Sequence, residues 1–97
     1  MGYVKGDSAH FHTEFRDPHT DALVDPATVK FKHETPAGVE TTLTYGSSSE
    51  LTRTSQGKYV AAIDLNASGT WWFRWETTGT YKGADEFSRD VAASQFA

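Results

Sequence analysis

The sequence predicts an all-β fold, one antiparallel β-sandwich of about seven strands, and three observations predict it. Apolar and polar residues alternate with a period of two almost throughout, which is the strand signal. Clusters of Gly, Pro, Ser and Asn break that alternation roughly every ten residues, the spacing of short strands in a sandwich or barrel. No segment holds a helical period over the ~10–12 residues that a helix needs.

The elements follow in order. Residues 1–6 read as a flexible N-terminal arm and residues 7–97 as the sandwich domain. From Ala9 to Arg16, Ala9, Phe11, Thr13 and Phe15 share one face, and His10, His12, Glu14 and Arg16 the other. Asp17-Pro18-His19-Thr20-Asp21 and Asp25-Pro26 then break the chain, because proline cannot donate to a ladder. Thr28 to Glu34 alternates again, with Val29, Phe31 and His33 inward and the two lysines outward. Pro36-Ala37-Gly38 turns into the β-branched run Val39 to Tyr45, and the Ser-rich loop at Gly46 leads to a short edge strand, Leu51 to Thr54. Lys58 to Leu65 places Tyr59, Ala61 and Ile63 on one face, and Asn66-Ala67-Ser68-Gly69 turns once more. Thr70 to Thr77 is the strongest strand, and Tyr81 to Phe96 forms the last segment, with room for one helical turn at Ala92 to Gln95.

A chain of 97 residues and 10.7 kDa makes one domain. Only 37% of it is hydrophobic, yet three Trp, four Tyr and six Phe are present, so large rings must build the core. The expected core is Phe11, Phe15, Val29, Phe31, Leu43, Tyr59, Ile63, Trp71, Phe73 and Trp75. The lack of cysteine excludes a disulfide scaffold, a thiolate zinc site and a cysteine nucleophile. No stretch approaches the ~20 apolar residues of a membrane span, and the start at Met1-Gly2-Tyr3 has no secretory h-region. Asn66-Ala67-Ser68, which fits a glycosylation sequon, is therefore read as a turn. Nine basic residues against thirteen acidic ones, interspersed, give a net charge of −4. That balance argues against nucleic acid, whose binding needs clustered cations.

Four runs carry a family resemblance: Leu23-Val24-Asp25-Pro26-Ala27-Thr28-Val29, Val39-Glu40-Thr41-Thr42-Leu43-Thr44-Tyr45-Gly46, Gly57-Lys58-Tyr59, and Gly69-Thr70-Trp71-Trp72-Phe73-Arg74-Trp75-Glu76. In order and spacing, over about residues 7 to 91, the chain resembles small immunoglobulin-like proteins encoded among the structural genes of tailed bacteriophages and prophages. The resemblance implies an immunoglobulin-like sandwich, a virion-associated role and no enzymatic activity. It leaves the location on the particle open. The chain departs from the family at His10 and His12 and beyond Val91, so no role is carried over there.

Alternation in the strongest strand puts Trp71, Phe73 and Trp75 on one face and Thr70, Trp72, Arg74 and Glu76 on the other. The aromatic face must be inside, since burying Arg and Glu instead would be very costly. Trp72 is then left outside beside Arg74 and Glu76, and these three are the expected protein-interface residues. A neighbouring side chain or loop covering Trp72 is the plain alternative, and a sugar-stacking platform a further one. His10 and His12 project to one side of a strand and form half a metal site. A complete site needs further ligands, and nothing in the sequence brings His19, His33, Glu14 or Asp17 near them. Asp17, Asp21 and Asp25 lack the spacing of a calcium loop and read as turn formers. There is no nucleophile elbow, phosphate loop or His-Glu-x-x-His, and Asp85 and Glu86 face opposite ways on a strand. No catalytic residue, cofactor or metal is expected.

The sequence thus points to a non-enzymatic virion structural protein, an immunoglobulin-like domain that decorates or joins capsid, neck or tail components. Its expected partners are other virion proteins and copies of itself, with neither nucleic acid nor membrane. A carbohydrate-binding or adhesion module contacting a host cell surface is the alternative, because the fold alone does not choose.

Overall fold

The alternating segments become eight strands in a computed structural model that describes residues 3–79 and 83–93. They are β1 (Tyr3–Val4), β2 (Ser8–Glu14), β3 (Thr28–Glu34), β4 (Glu40–Thr44), β5 (Leu51–Ser55), β6 (Lys58–Asp64), β7 (Gly69–Thr78) and β8 (Gly83–Ala92). Strands β1-β8-β7-β3-β4 form one sheet and β2-β6-β5 the other. The expected sandwich class holds, and each of the seven expected strands is present.

The core lies between the sheets and is built mainly of rings. Trp71, Phe73 and Trp75 of β7 are 1%, 1% and 2% exposed, and Phe31 of β3, which faces Trp75 in the ladder, is fully buried. Phe31 lies 4.6 Å from Trp75 and 5.7 Å from Phe73, centroid to centroid. From the opposite sheet, Phe11 reaches Phe73 at 4.4 Å, Phe87 at 5.5 Å and Phe31 at 5.8 Å. The aliphatic residues Ala9, Leu51, Ala61, Leu65 and Val91 complete the core. Ala9, Ala61 and Leu65 continue the inward parity of Phe11, Tyr59 and Ile63, whereas Leu51 on an edge strand and Val91 near a strand end have too few alternating neighbours to fix theirs.

Four details differ from the sequence reading. Residues 3–6 are tied down rather than loose. β1 runs parallel to β8, pairing Tyr3 with Val91 and Val4 with Ala92, so the first sheet is mixed, not purely antiparallel. Lys5 N–H donates to Ala92 O and Gly6 N–H to Leu65 O, both at 2.8 Å, while Tyr3 packs edge-on against Phe11. Two residues are too short to show a period, so this strand is set by tertiary packing. Phe15 is half-buried, because it lies just past the last ladder pair of β2, at the open side of the sandwich. The expected helical turn at Ala92 to Gln95 does not begin at Ala92, which is the last residue of β8. Ser94 and Gln95, like Tyr81 and Phe96, lie outside the described residues.

One polar cluster fixes the loop after β2. Asp25 accepts from Arg53 Nε at 3.1 Å and Nη2 at 2.9 Å, from Gly57 N–H at 2.8 Å and from Tyr59 Oη at 3.2 Å. Gly57 has φ of +73°, and a Cβ there would lie 2.9 Å from Phe15 O and 3.0 Å from Leu23 Cβ. Only glycine fits that close approach. The Arg53 hydrogen bonds, then the Gly57 amide, hold the Asp25 carboxyl at about 2, down from 3.8. Asp25 thus ties the loop to β5 and β6 and does more than form a turn.

Two predictions follow from this packing. Trp75→Ala removes a buried ring against Phe31 and should cost about 3–5 kcal/mol in urea unfolding. Asp25 has a folded pKa below its unfolded one, so its contribution is present above 3.8 and is lost as pH falls toward about 2. Thermal unfolding of Asp25→Asn should therefore be lower than wild type near neutral pH and should fall less steeply through that acid window. The Asp25 and Arg53 side chains are 39% and 36% exposed, so solvent screening keeps the difference modest.

Candidate functional site

The outward face of the larger sheet is set by which residues the core has taken. On β7 the core claims Trp71, Phe73, Trp75 and Thr77, so Thr70, Trp72, Arg74, Glu76 and Thr78 turn outward. Ladder register then assembles rows across the sheet. Trp72 stands between Glu34 of β3 and Ser88 of β8, and Glu34 in turn pairs with Glu40 of β4. Arg74 stands between Lys32 and Glu86, and Glu76 between Lys30 and Ala84.

The ion pairs run along and across these rows. Arg74 Nε donates to Glu76 Oε1 at 2.7 Å, and its Nη1 donates to Glu86 Oε2 at 3.0 Å. Lys32 Nζ lies 3.4 Å from the same Glu76 oxygen. The Arg74 hydrogen bond, then those of Lys32, draws the Glu76 carboxyl below its ordinary value against the opposing effect of burial. Glu76 and Glu86 raise the Arg74 guanidinium above its own. Exposed pairs of this kind add little stability. Their effect here is to hold Arg74 and Glu76 in one geometry, as a fixed pattern of charge.

Trp72 lies at the end of this ladder and is 49% exposed, so no side chain or loop among the described residues closes over it. It borders a shallow depression of about 330 Å³ together with Lys32, Glu34, Glu40 and Arg74. Glu34 and Glu40 face one another and carry no ion pair among the described residues. Two cations, Lys32 and Arg74, stand against four carboxylates, Glu34, Glu40, Glu76 and Glu86, around the depression, which leaves its lining two charges negative. Val39, 60% exposed, stands immediately before Glu40 at the turn into β4. The depression is open and shallow, which suits a protein surface or a single ring contact better than an enclosed small molecule.

All three residues expected at an interface therefore lie side by side on one outward face. Sequence reading missed Glu34, Glu40, Lys32 and Glu86. Parity in β3, β4 and β8 marks them as outward, but only the register of the ladders places them beside Trp72. His33 faces inward as expected. Burial lowers its pKa, against an opposing pull from the Glu50 charge, and its Nδ1 has no hydrogen-bond partner among the described residues.

The other candidate groups disperse. His10 and His12 are exposed on the outer face of β2, in the smaller sheet, opposite Ala62 and Val60. His33 is on the larger sheet and His19 in an exposed loop. No three histidine, aspartate or glutamate residues gather as a metal site among the described residues. Asp17 acts as a turn former, its Oδ1 accepting from His19 N–H at 2.7 Å and Thr20 N–H at 3.2 Å. Asp85 faces Trp75 in the ladder and Glu86 faces Arg74, on opposite sides of β8. No protein-family model, curated protein or solved structure matches this chain.

Proposed function

We propose that this protein is a non-enzymatic structural component of a tailed-bacteriophage virion, an immunoglobulin-like domain that joins or decorates capsid, neck or tail parts through the outer face of its larger sheet. The particle setting rests on the sequence runs that resemble phage structural proteins. The binding role rests on one observation: Trp72 is half-exposed on a face whose charges are held in a fixed ladder. An exposed indole costs little entropy to immobilise and supplies a large contact area, and Trp and Arg are favoured at interface hot spots. The paired charges give orientation and reject mismatched partners more than they supply affinity. A standard interface needs about 800 Å² from each partner, and five strands present a broad surface for it.

The mutation that tests this face is Trp72→Ala. It should leave unfolding free energy within about 0.5 kcal/mol of wild type, as for a surface change. Loss of a hot spot should cost at least ~2 kcal/mol in attachment, about thirtyfold in affinity. The measurement is co-sedimentation of the folded variant with particles that lack the wild-type protein. Wild-type occupancy would remove Trp72 from the interface. Selective glycan-array binding that vanishes in the same variant would support the carbohydrate reading instead.

A further inference from the structure

Among the described residues, the smaller sheet has no strand on the outer side of β2. Leu65 N–H donates to Asp7 O and Phe15 N–H donates to Gly57 O, at the two ends of the β2–β6 ladder. Antiparallel alternation then turns the backbone groups of Ala9, Phe11 and Thr13 toward β6. Those of Ser8, His10, His12 and Glu14 point away from it. Among the described residues none pairs with that edge until Arg16, which bridges to Leu23. In the other sheet β1 covers only Val91 and Ala92 of β8, leaving Gly83 to Asp90 without a strand on that side among the described residues. Among the described residues, one side of the sandwich is therefore an open seam between two unpaired edges. Phe15 and Phe87 are half-buried along it.

Edge strands are normally blunted by Lys, Pro or a bulge. β5 carries such a bulge between Arg53 and Ser55. β2 keeps register with β6 through seven successive pairs with no shift, and Ser8–Glu14 contains no Lys, Arg, Pro or Gly. An unblunted edge of this kind is a template for another strand.

We propose that a second copy of this chain occupies the seam, pairing β2 with β2 in antiparallel orientation about a two-fold axis at Phe11. That register sets His10 opposite His12 of the second copy and Ser8 opposite Glu14 of the second copy. It satisfies all four outward-facing residues of each edge at once, and a two-fold interface is the commonest kind in soluble oligomers. Charge supports the same axis. The Phe11 and Phe87 rings lie 5.5 Å apart, so an axis at Phe11 passes beside Phe87 of β8. It runs β8 antiparallel to its copy about Phe87, which brings Asp85 of one toward Arg89 of the other, twice. Both residues are exposed, and Asp85 has no ion pair among the described residues. Arg89 already lies over the Phe87 ring, 5.0 Å from its centroid, at the mouth of the seam. The dimer would leave the Trp72 face free, on the opposite side of the larger sheet.

Sedimentation of the full chain at micromolar to millimolar concentration tests the proposal. The expected species has twice the 10.7 kDa chain mass. His12→Pro removes an edge N–H and should give a monomer with unchanged circular dichroism, since proline is tolerated at a free edge. Arg89→Asp opposes like charges at both symmetric positions and should raise the dimer Kd at least ~tenfold. Adding Asp85→Arg to Arg89→Asp should restore dimerisation, which reports the register even if His12→Pro fails to fold. A wild-type monomer throughout, a dimer that Arg89→Asp leaves intact, or failure of the double swap to restore it would each overturn the proposal.

Discussion

Phe11 and Phe73 meet with ring centroids 4.4 Å apart, and at that contact the two sheets become one protein. Phe11 comes from the smaller sheet, and around it stand Phe31, Phe73 and Phe87 of three different strands of the larger one. A chain with so few aliphatic residues has little else with which to hold its layers together. Aromatic pairs contribute about 0.5–1.5 kcal/mol beyond their buried area, so a network of them can stabilise a domain of marginal size. The network also constrains the chain. If any of β2, β3 or β7 slipped by one residue, its rings would turn to solvent and its charges to the core.

That constraint links core to surface. Because β7 commits Trp71, Phe73 and Trp75 inward, its remaining residues are released to one outer face, where register collects Trp72, Arg74 and Glu76 with the carboxylates of β3, β4 and β8. The same economy shapes the other side. The N-terminal residues that could have edged β2 instead join β8 through Tyr3, whose ring is drawn to Phe11. The β2 edge is then left without a neighbouring strand among the described residues.

Most of the fold was legible because period-two alternation is strong wherever a strand has one wet face and one dry face. β2, β3, β6 and β7 show it over seven or more residues, and their inward and outward sets are as expected. β1 was not legible, because two residues have no period and its pairing is parallel and remote in sequence. Leu51 and Val91 lie in strands where each is the single buried residue. Trp72, Arg74 and Glu76 were legible as a group, since parity on one strand suffices. Glu34 and Glu40 were not, because like charges opposed across a hairpin are visible only once the register is known.

β7 divides its tryptophans, two into the core and one onto the outer face, and core and surface both depend on that division. It is tested most directly by following the three indole N–H signals in a nitrogen-correlated NMR spectrum while a soluble paramagnetic agent is added. Trp71, whose Nε1–H donates to Ala67 O at 2.9 Å, and Trp75 should keep their intensity, while the Trp72 signal broadens first. Broadening of Trp71 or Trp75 alongside Trp72, or a Trp72 signal as protected as theirs, would contradict the account.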